Sequence, residues 1–312
     1  MKKKFLLQNV LFFTPIVLAF LGMEWLALKA PNSFEIKGEL IEKEAHQFTT
    51  ITLGSSQMLN AVNPEWMEVP TINLASGNQH HDTDFKLLKG LGSQLTNLST
   101  VVLEVSYSHF ELPHNGKDFW KNNLYLKYYH VNCFERTPYF KDRLVFLSNV
   151  PFFSERLYEY YIENKHTPNY NSHGYNFNDL YGQFAARNFD KKRIDAMKRF
   201  KINTEPNLLV FKNNTTLFFE LLEYLKQENL QVVIATLPMY PTYLQKRNPK
   251  ILHRRDSILQ LAKKQFSNVT LFQKETDTLT YELKDFWNQS HLSPSGAKKY
   301  TASLDSLLSK MN

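Results

Sequence analysis

Short apolar runs alternate with longer stretches of helical spacing along most of this chain, and that alternation predicts its fold. Residues 49–53 read as a buried strand that runs into the turn Gly54-Ser55-Ser56-Gln57. Residues 69–74 read as a second strand, followed by Ala75-Ser76-Gly77-Asn78. Phe85, Leu87, Leu88, Leu91 and Leu95 recur at helical spacing, which predicts a helix over 82–95. Residues 101–105 are a third, β-branched strand. An amphipathic helix follows at 216–228 and a fourth strand at 231–237, stopped by Pro238. A helix at 251–266, a short fifth strand at 269–272 and a closing helix at 295–311 complete the pattern. Helices alternating with short apolar strands predict a three-layer, doubly wound, flavodoxin-like α/β fold with helices on both faces of a parallel sheet. Ligands of such sheets bind beyond the carboxyl ends of the strands. Ser56 and the Ser76-Gly77 turn both follow strands directly, so they fall on the same edge.

Two regions break the alternation. Lys2, Lys3 and Lys4 precede a largely apolar run, 5–28, interrupted by Gln8, Asn9, Thr14 and Glu24. That length suits a single bilayer crossing of about 20 residues. Leading lysines stay on the cytoplasmic side, which predicts an N-in anchor with the bulk of the chain extracytoplasmic, periplasmic or extracellular. The alternative is a cleaved signal peptide, for which Ala27-Leu28-Lys29-Ala30 is a poor cleavage site. The predicted organisation is therefore 1–30 as transmembrane anchor or signal segment, then one domain over 31–312. That domain opens with a linker or helix at 31–48. It carries an insertion at about 107–205 that is too long for a loop and too rich in aromatics for disorder. The insertion is expected to be largely helical and to lie over the strand edge. Its Tyr125, Tyr128, Tyr129, Phe152, Phe153, Tyr158, Tyr160 and Tyr161 would form a small core of their own, or stack on sugar rings, or line an acyl groove.

Composition narrows the function classes without choosing one. The formal net charge is +7, with basic clusters at 191–201 and 246–255. No nucleic-acid motif accompanies them, and they read as solvated helix faces, so no nucleic-acid partner is expected. The single cysteine, Cys133, excludes an internal disulfide. Adjacent His80 and His81 lack a third histidine at ligand spacing, so neither a metal nor another cofactor is expected.

The candidate chemistry is nucleophilic. Ser56 sits where a strand turns sharply into a helix, and His291 sits on a loop just before the last helix, in Phe286-Trp287-Asn288-Gln289-Ser290-His291-Leu292-Ser293-Pro294-Ser295-Gly296. Acyl transfer needs a serine, a base for its proton and donors for an oxyanion. Gly54-Ser55-Ser56 and the His291 segment together resemble the first and last blocks of the SGNH (GDSL-type) hydrolases and acyltransferases. The resemblance covers about 49–106 and 208–311. It implies that Ser56 is the nucleophile, His291 its base, and Gly77 an oxyanion donor through its backbone N–H. The family's third block supplies an asparagine that this chain lacks; Ser106 or Asn78 would replace it. The family's last block has an aspartate three residues before the histidine. Here that position is Asn288, with Asp285 six residues before, and either could hold the second ring nitrogen. By resemblance the chain is a membrane-anchored serine esterase or O-acyltransferase. It would act on acyl groups of a cell-envelope polysaccharide, with an acylated glycan or acyl donor as partner. Some relatives of this kind work beside a multi-pass membrane acyltransferase. A binding or assembly protein with a decayed site, and a lipase-like acylhydrolase with the insertion as lid, are the alternatives.

Overall fold

The computed structural model describes residues 2–164, 169–178 and 182–311. Its N-terminal helix α1 (Lys2–Lys29) leads into α2 (Ser33–Glu44), then β1 (Thr50–Leu53), α3 (Ser56–Ala61), β2 (Thr71–Asn73), α4 (His81–Leu91) and β3 (Thr100–Glu104). After the insertion come α8 (Leu208–Gln227), β4 (Gln231–Thr236), α9 (Pro241–Lys246), α10 (Pro249–Gln265) and β5 (Val269–Gln273). The chain ends with the two-stranded β6 (Phe286–Asn288) and β7 (His291–Leu292), and α11 (Pro294–Leu308). Within the insertion lie α5 (Asn122–Tyr128), α6 (Val150–Tyr161) and α7 (Lys191–Asp195).

The five main strands form one parallel sheet in the order β2-β1-β3-β4-β5. Alternation along each strand divides the core. Ile51, Leu53, Val101, Leu103, Val232 and Ile234 face Leu87 and Leu91 of α4 and Phe218, Leu221 and Leu225 of α8. Val102, Val233 and Ala235 face Met58 of α3 and Tyr300 and Leu304 of α11. The chain leaves β1 in one direction for β2 and returns on the other side as β3. This reversal opens a crevice at the carboxyl ends of β1 and β3, the place where doubly wound sheets bind ligands.

Some element boundaries differ from expectation. Helix α8 starts at Leu208, ahead of the apolar pattern, because the Asn207 side chain accepts a hydrogen bond from the Val210 N–H and caps a first turn whose Leu208 and Leu209 are exposed. Helix α4 stops at Leu91, just before Gly92. The segment after residue 30 is a helix, α2, capped by Asn32 on the Glu35 N–H at 2.8 Å. The basic stretch 246–255 is not wholly a solvated face: Arg254 pairs with buried Glu111, and Arg247 and Arg255 both pair with buried Glu275.

The insertion is a correction to the expected largely helical unit. Its described residues form three short helices and several single 3₁₀ turns, joined by irregular chain. Ring packing organises it where helical period does not. Tyr125 and Tyr129 pack on Phe34 of α2 at ring-centroid distances of 5.6 and 5.7 Å and join the main core. Trp120 packs on Phe152 and Phe153.

The apolar run of α1 is exposed from Phe5 to Leu21. Contact with the body begins near its end. The buried carboxylate of Glu24 accepts the Val145 and Phe146 N–H groups at 2.7 and 2.8 Å, and Ala27 is buried.

Candidate active site

The turn after β1 is held from beneath by Glu104, the last residue of β3. Gly54 has φ +136°, and a Cβ there would lie 2.4 Å from the Glu104 Cβ, so only glycine fits the crossing. The fully buried Glu104 carboxylate accepts hydrogen bonds from the Ser55 N–H (2.8 Å), the Ser55 hydroxyl (2.7 Å) and the Met58 N–H (3.1 Å). Burial raises the pKa of this carboxyl, and the Ser55 and Met58 donors pull it back. Ser55 in turn accepts from the Gln57 N–H and caps α3, so Ser56 is placed at the helix's first position. Glu104→Leu keeps the volume but leaves the Ser55 and Met58 N–H groups without an acceptor. It is expected to lower unfolding free energy by about 2–6 kcal/mol, at about 1–3 kcal/mol for each of the two orphaned donors. Glu104→Gln keeps one oxygen for both N–H groups and should recover most of that loss. Urea unfolding of the two variants checks this, and equal stability of the two would show that the carboxylate does not hold the turn.

The other half of the site comes from the β6–β7 hairpin. His291 Nε2 lies 2.8 Å from Ser56 Oγ. Its Nδ1 lies 3.0 Å from Asn288 Oδ1 and 3.1 Å from Ser290 Oγ. The Asn288 oxygen also accepts the Ser290 backbone N–H at 2.9 Å, which fixes which end of the amide faces the ring. A proton on Nδ1 is then donated to Asn288, leaving Nε2 free to accept the Ser56 proton. Burial, with the Lys201 charge adding to it, pushes the His291 pKa down to about 4. The imidazole is therefore neutral at neutral pH, the form a general base needs.

Asp285 is a correction as the orienting group, because its carboxylate is committed elsewhere. It accepts the Glu282 N–H at 2.8 Å, the Ser295 hydroxyl at 2.6 Å and the Lys299 ammonium at 2.6 Å, and the residue is buried. What it holds is the start of α11. Gly296 packs so tightly on it that a Cβ there would meet the Asp285 carbonyl oxygen at 2.2 Å. Helix α11 is also tied to the Ser56 side of the sheet. Thr301 bonds the Ala61 carbonyl and the Asn63 N–H, and Asp305 accepts the Glu68 and Val69 N–H groups.

Gly77 lies against Ser56: a Cβ on it would be 3.9 Å from the Ser56 Cβ. Among the described residues the N–H groups of Ser56, Gly77 and Asn78 have no hydrogen-bond acceptor. Lys121 of the insertion binds the Gly77 carbonyl at 2.5 Å and Ser76 Oγ at 2.9 Å, fixing the peptide that carries the Asn78 N–H. Ser106 and Asn78 both line a cavity of about 420 Å³ that opens on Ser56 and His291. Gln57, Ser108, Gln183, Lys201 and Asn203 line it too, beside Leu112, Phe200, Ile202 and Tyr243, so the insertion covers the strand edge and puts amide, hydroxyl and apolar side chains together in the walls. His80 and His109 complete one side. Their rings, with those of His81 and His114, pack at centroid distances of 3.9–5.9 Å. Burial lowers the pKa of all four, and among the described residues no group of three or more His, Cys, Asp or Glu is placed to hold a metal.

Glu104, Lys121 and Lys201 were not among the expected site residues. Glu104 had one visible signal, an acid ending an otherwise apolar strand. The lysines had none, since only the fold carries the insertion to the turn.

No protein-family model and no curated protein matches this chain. Solved structures align with it along most of its length at low identity. A GDSL-like lipase from Bacteroides thetaiotaomicron shares 9% identity over 89% of this chain and 100% of that one, with a TM-score of 0.42. A protein described as a candidate acylhydrolase from Bacteroides fragilis shares 9% over 84% and 86%, with a TM-score of 0.38. One described as a candidate platelet activating factor from Streptococcus pneumoniae shares 10% over 96% and 98%, with a TM-score of 0.41.

Proposed function

We propose that this chain is a membrane-anchored serine acyl esterase or O-acyltransferase of the SGNH type, acting on acyl groups of a cell-envelope polysaccharide. The observation that carries the reading is the 2.8 Å contact between Ser56 Oγ and His291 Nε2 at the β1–β3 crevice, with Asn288 on the far ring nitrogen. In the proposed reaction Ser56 Oγ attacks the acyl carbonyl carbon as its proton passes to His291 Nε2. The oxyanion develops towards the Ser56 and Gly77 N–H groups, with Asn78 or Ser106 as a third donor. Collapse breaks the ester bond, and the departing alcohol takes the proton from His291. The acyl group, now on Ser56, passes to water in an esterase or to a sugar hydroxyl in a transferase, each activated by the same histidine. The amide- and hydroxyl-rich cavity suits a hydroxylated acceptor. The exposed apolar face of α1 behind Lys2–Lys4 supports an N-in anchor with the site outside the cytoplasm.

A fluorophosphonate probe tests the core of this reading. The full-length protein in neutral detergent should label covalently, and Ser56→Ala should not. Absence of label on the native chain would favour a binding protein built on the same fold.

A further inference from the structure

A second cavity, of about 480 Å³, lies between the end of α1 and the turn after β2. Its walls come from Ala27 and Ala30, from the aromatic cluster Trp120, Phe152 and Phe153, and from Gly77 and Asn78. Asn78 lines this cavity and the one at Ser56 alike, so the second cavity reaches the back of the proposed oxyanion site.

Its charge is one-sided. Lys37, Lys121 and Arg156 line it, and among the described residues no Asp or Glu does. Lys37 is 2% exposed, and among the described residues it has neither a hydrogen bond nor an ion pair. Among the described residues Lys121 donates to the neutral oxygens of Ser76 and Gly77 and lies 5.5 Å from the Trp120 ring centroid, with no carboxylate partner. Arg156 has Glu159 at 3.5 Å, on the same helix. Folding a lysine into such a place without a counter-ion costs several kcal/mol. Burial and the nearby Lys121 charge push Lys37 down to about 7. An anion in the cavity that both lysines line would offset both effects.

Position supplies the rest of the ligand. From Phe5 to Leu21, the exposed apolar run, the helix rises about 24 Å at 1.5 Å per residue, most of the thickness of a bilayer core. Ala27 and Ala30 follow within about two turns. The cavity therefore opens at the level where a lipid headgroup meets its tail.

From the buried lysine without a partner and the lining without an acid among the described residues, and from the aromatic wall, we infer that this cavity binds an anionic amphiphile. Its phosphate-type group sits against Lys37, Lys121 and Arg156, and its apolar chain lies along Trp120, Phe152 and Phe153. This deepens the proposed function and rests on its membrane anchoring: the amphiphile is the lipid-borne acyl donor or acceptor held beside Ser56.

Native mass spectrometry of the full-length Ser56→Ala protein in neutral detergent tests this without turnover. Separate arms offer dioctanoyl phosphatidylglycerol, dioctanoyl phosphatidylcholine, dioctanoylglycerol and inorganic phosphate. The expected result is one retained phosphatidylglycerol, at least tenfold preferred over the two neutral lipids, with phosphate alone not retained. Lys37→Met should reduce that preference at least tenfold while leaving the melting temperature unchanged or higher, because an uncompensated buried charge has been removed. Equal retention of charged and neutral lipids, or retention of phosphate alone, would overturn the amphiphile. So would a Lys37→Met variant that melts lower and keeps the preference. Since the Ser56→Ala protein cannot form an acyl-enzyme, a failure here is separate from a failure of the esterase reading, which the fluorophosphonate label reports.

Discussion

Alanine at Ser56 is expected to slow hydrolysis of an activated acetyl ester by about 10⁴-fold or more, with His291→Ala costing nearly as much. The double variant should be hardly worse than either single one. The reason lies in the 2.8 Å contact: the hydroxyl is a poor nucleophile until Nε2 takes its proton, and Nε2 has no task without the hydroxyl. Groups that act as one unit lose their whole contribution at the first deletion. Residual rate above that in water would come from the oxyanion donors and from binding in the adjoining cavity, neither of which needs the Ser56 side chain. Steady-state kinetics on the three variants decide the point. If the two single losses multiply in the double variant, Ser56 and His291 do not work together, and the shared site is wrong. Glu104 predicts a different signature. Its loss acts through the position of the Ser55–Met58 turn, so it should move stability and turnover together, whereas Ser56→Ala should leave stability close to the native value.

The sheet was legible because its signals are local. Each strand is a short apolar run next to a turn, and a run such as 231–236 reads the same wherever the chain carries it. That Ser56, Gly77 and His291 would meet at one edge was legible for a related reason: each follows or precedes a regular element at a recognisable turn. Contacts between distant segments were not. The Glu104 carboxylate meets Ser55 only because β1 and β3 are neighbours in the sheet. Lys121 meets Gly77 because an irregular insertion folds back over the edge. Asp285 misled for the same reason. Six residues upstream of the histidine, it looked like a displaced partner, but the approach of α11 gives it Ser295 and Lys299 first. The four packed histidines, His80, His81, His109 and His114, come from two segments, and only the first, His80-His81, stands out in the sequence.

The substitution Asn288→Asp is expected to raise activity and to move the acid limb of the pH profile upward. In the native chain the Nδ1 proton is held by an amide oxygen, which orients the ring but carries no charge to stabilise the imidazolium formed during attack. A carboxylate of nearly the same shape fits the site. The Oδ1 position already accepts from Ser290, and among the described residues the Asn288 amide nitrogen donates to no group that would be stranded. The sign follows from which form works. His291 must be neutral to act as base, and burial with Lys201 holds its pKa near 4, so native activity should persist down to about pH 4 and fall below it. A carboxylate at 3 Å favours the charged ring and raises its pKa by about 1–3 units, so the variant's activity should fall between about pH 5 and 7. Above that range the stabilised imidazolium should raise kcat by about tenfold or more, part of the roughly 10⁴-fold that losing a triad carboxylate costs. Measuring kcat/KM from pH 3.5 to 9 for both proteins separates the effects. An acid limb that stays at the same pH in the variant would show that residue 288 does not govern the ring, and that Ser290 or the backbone orients it instead.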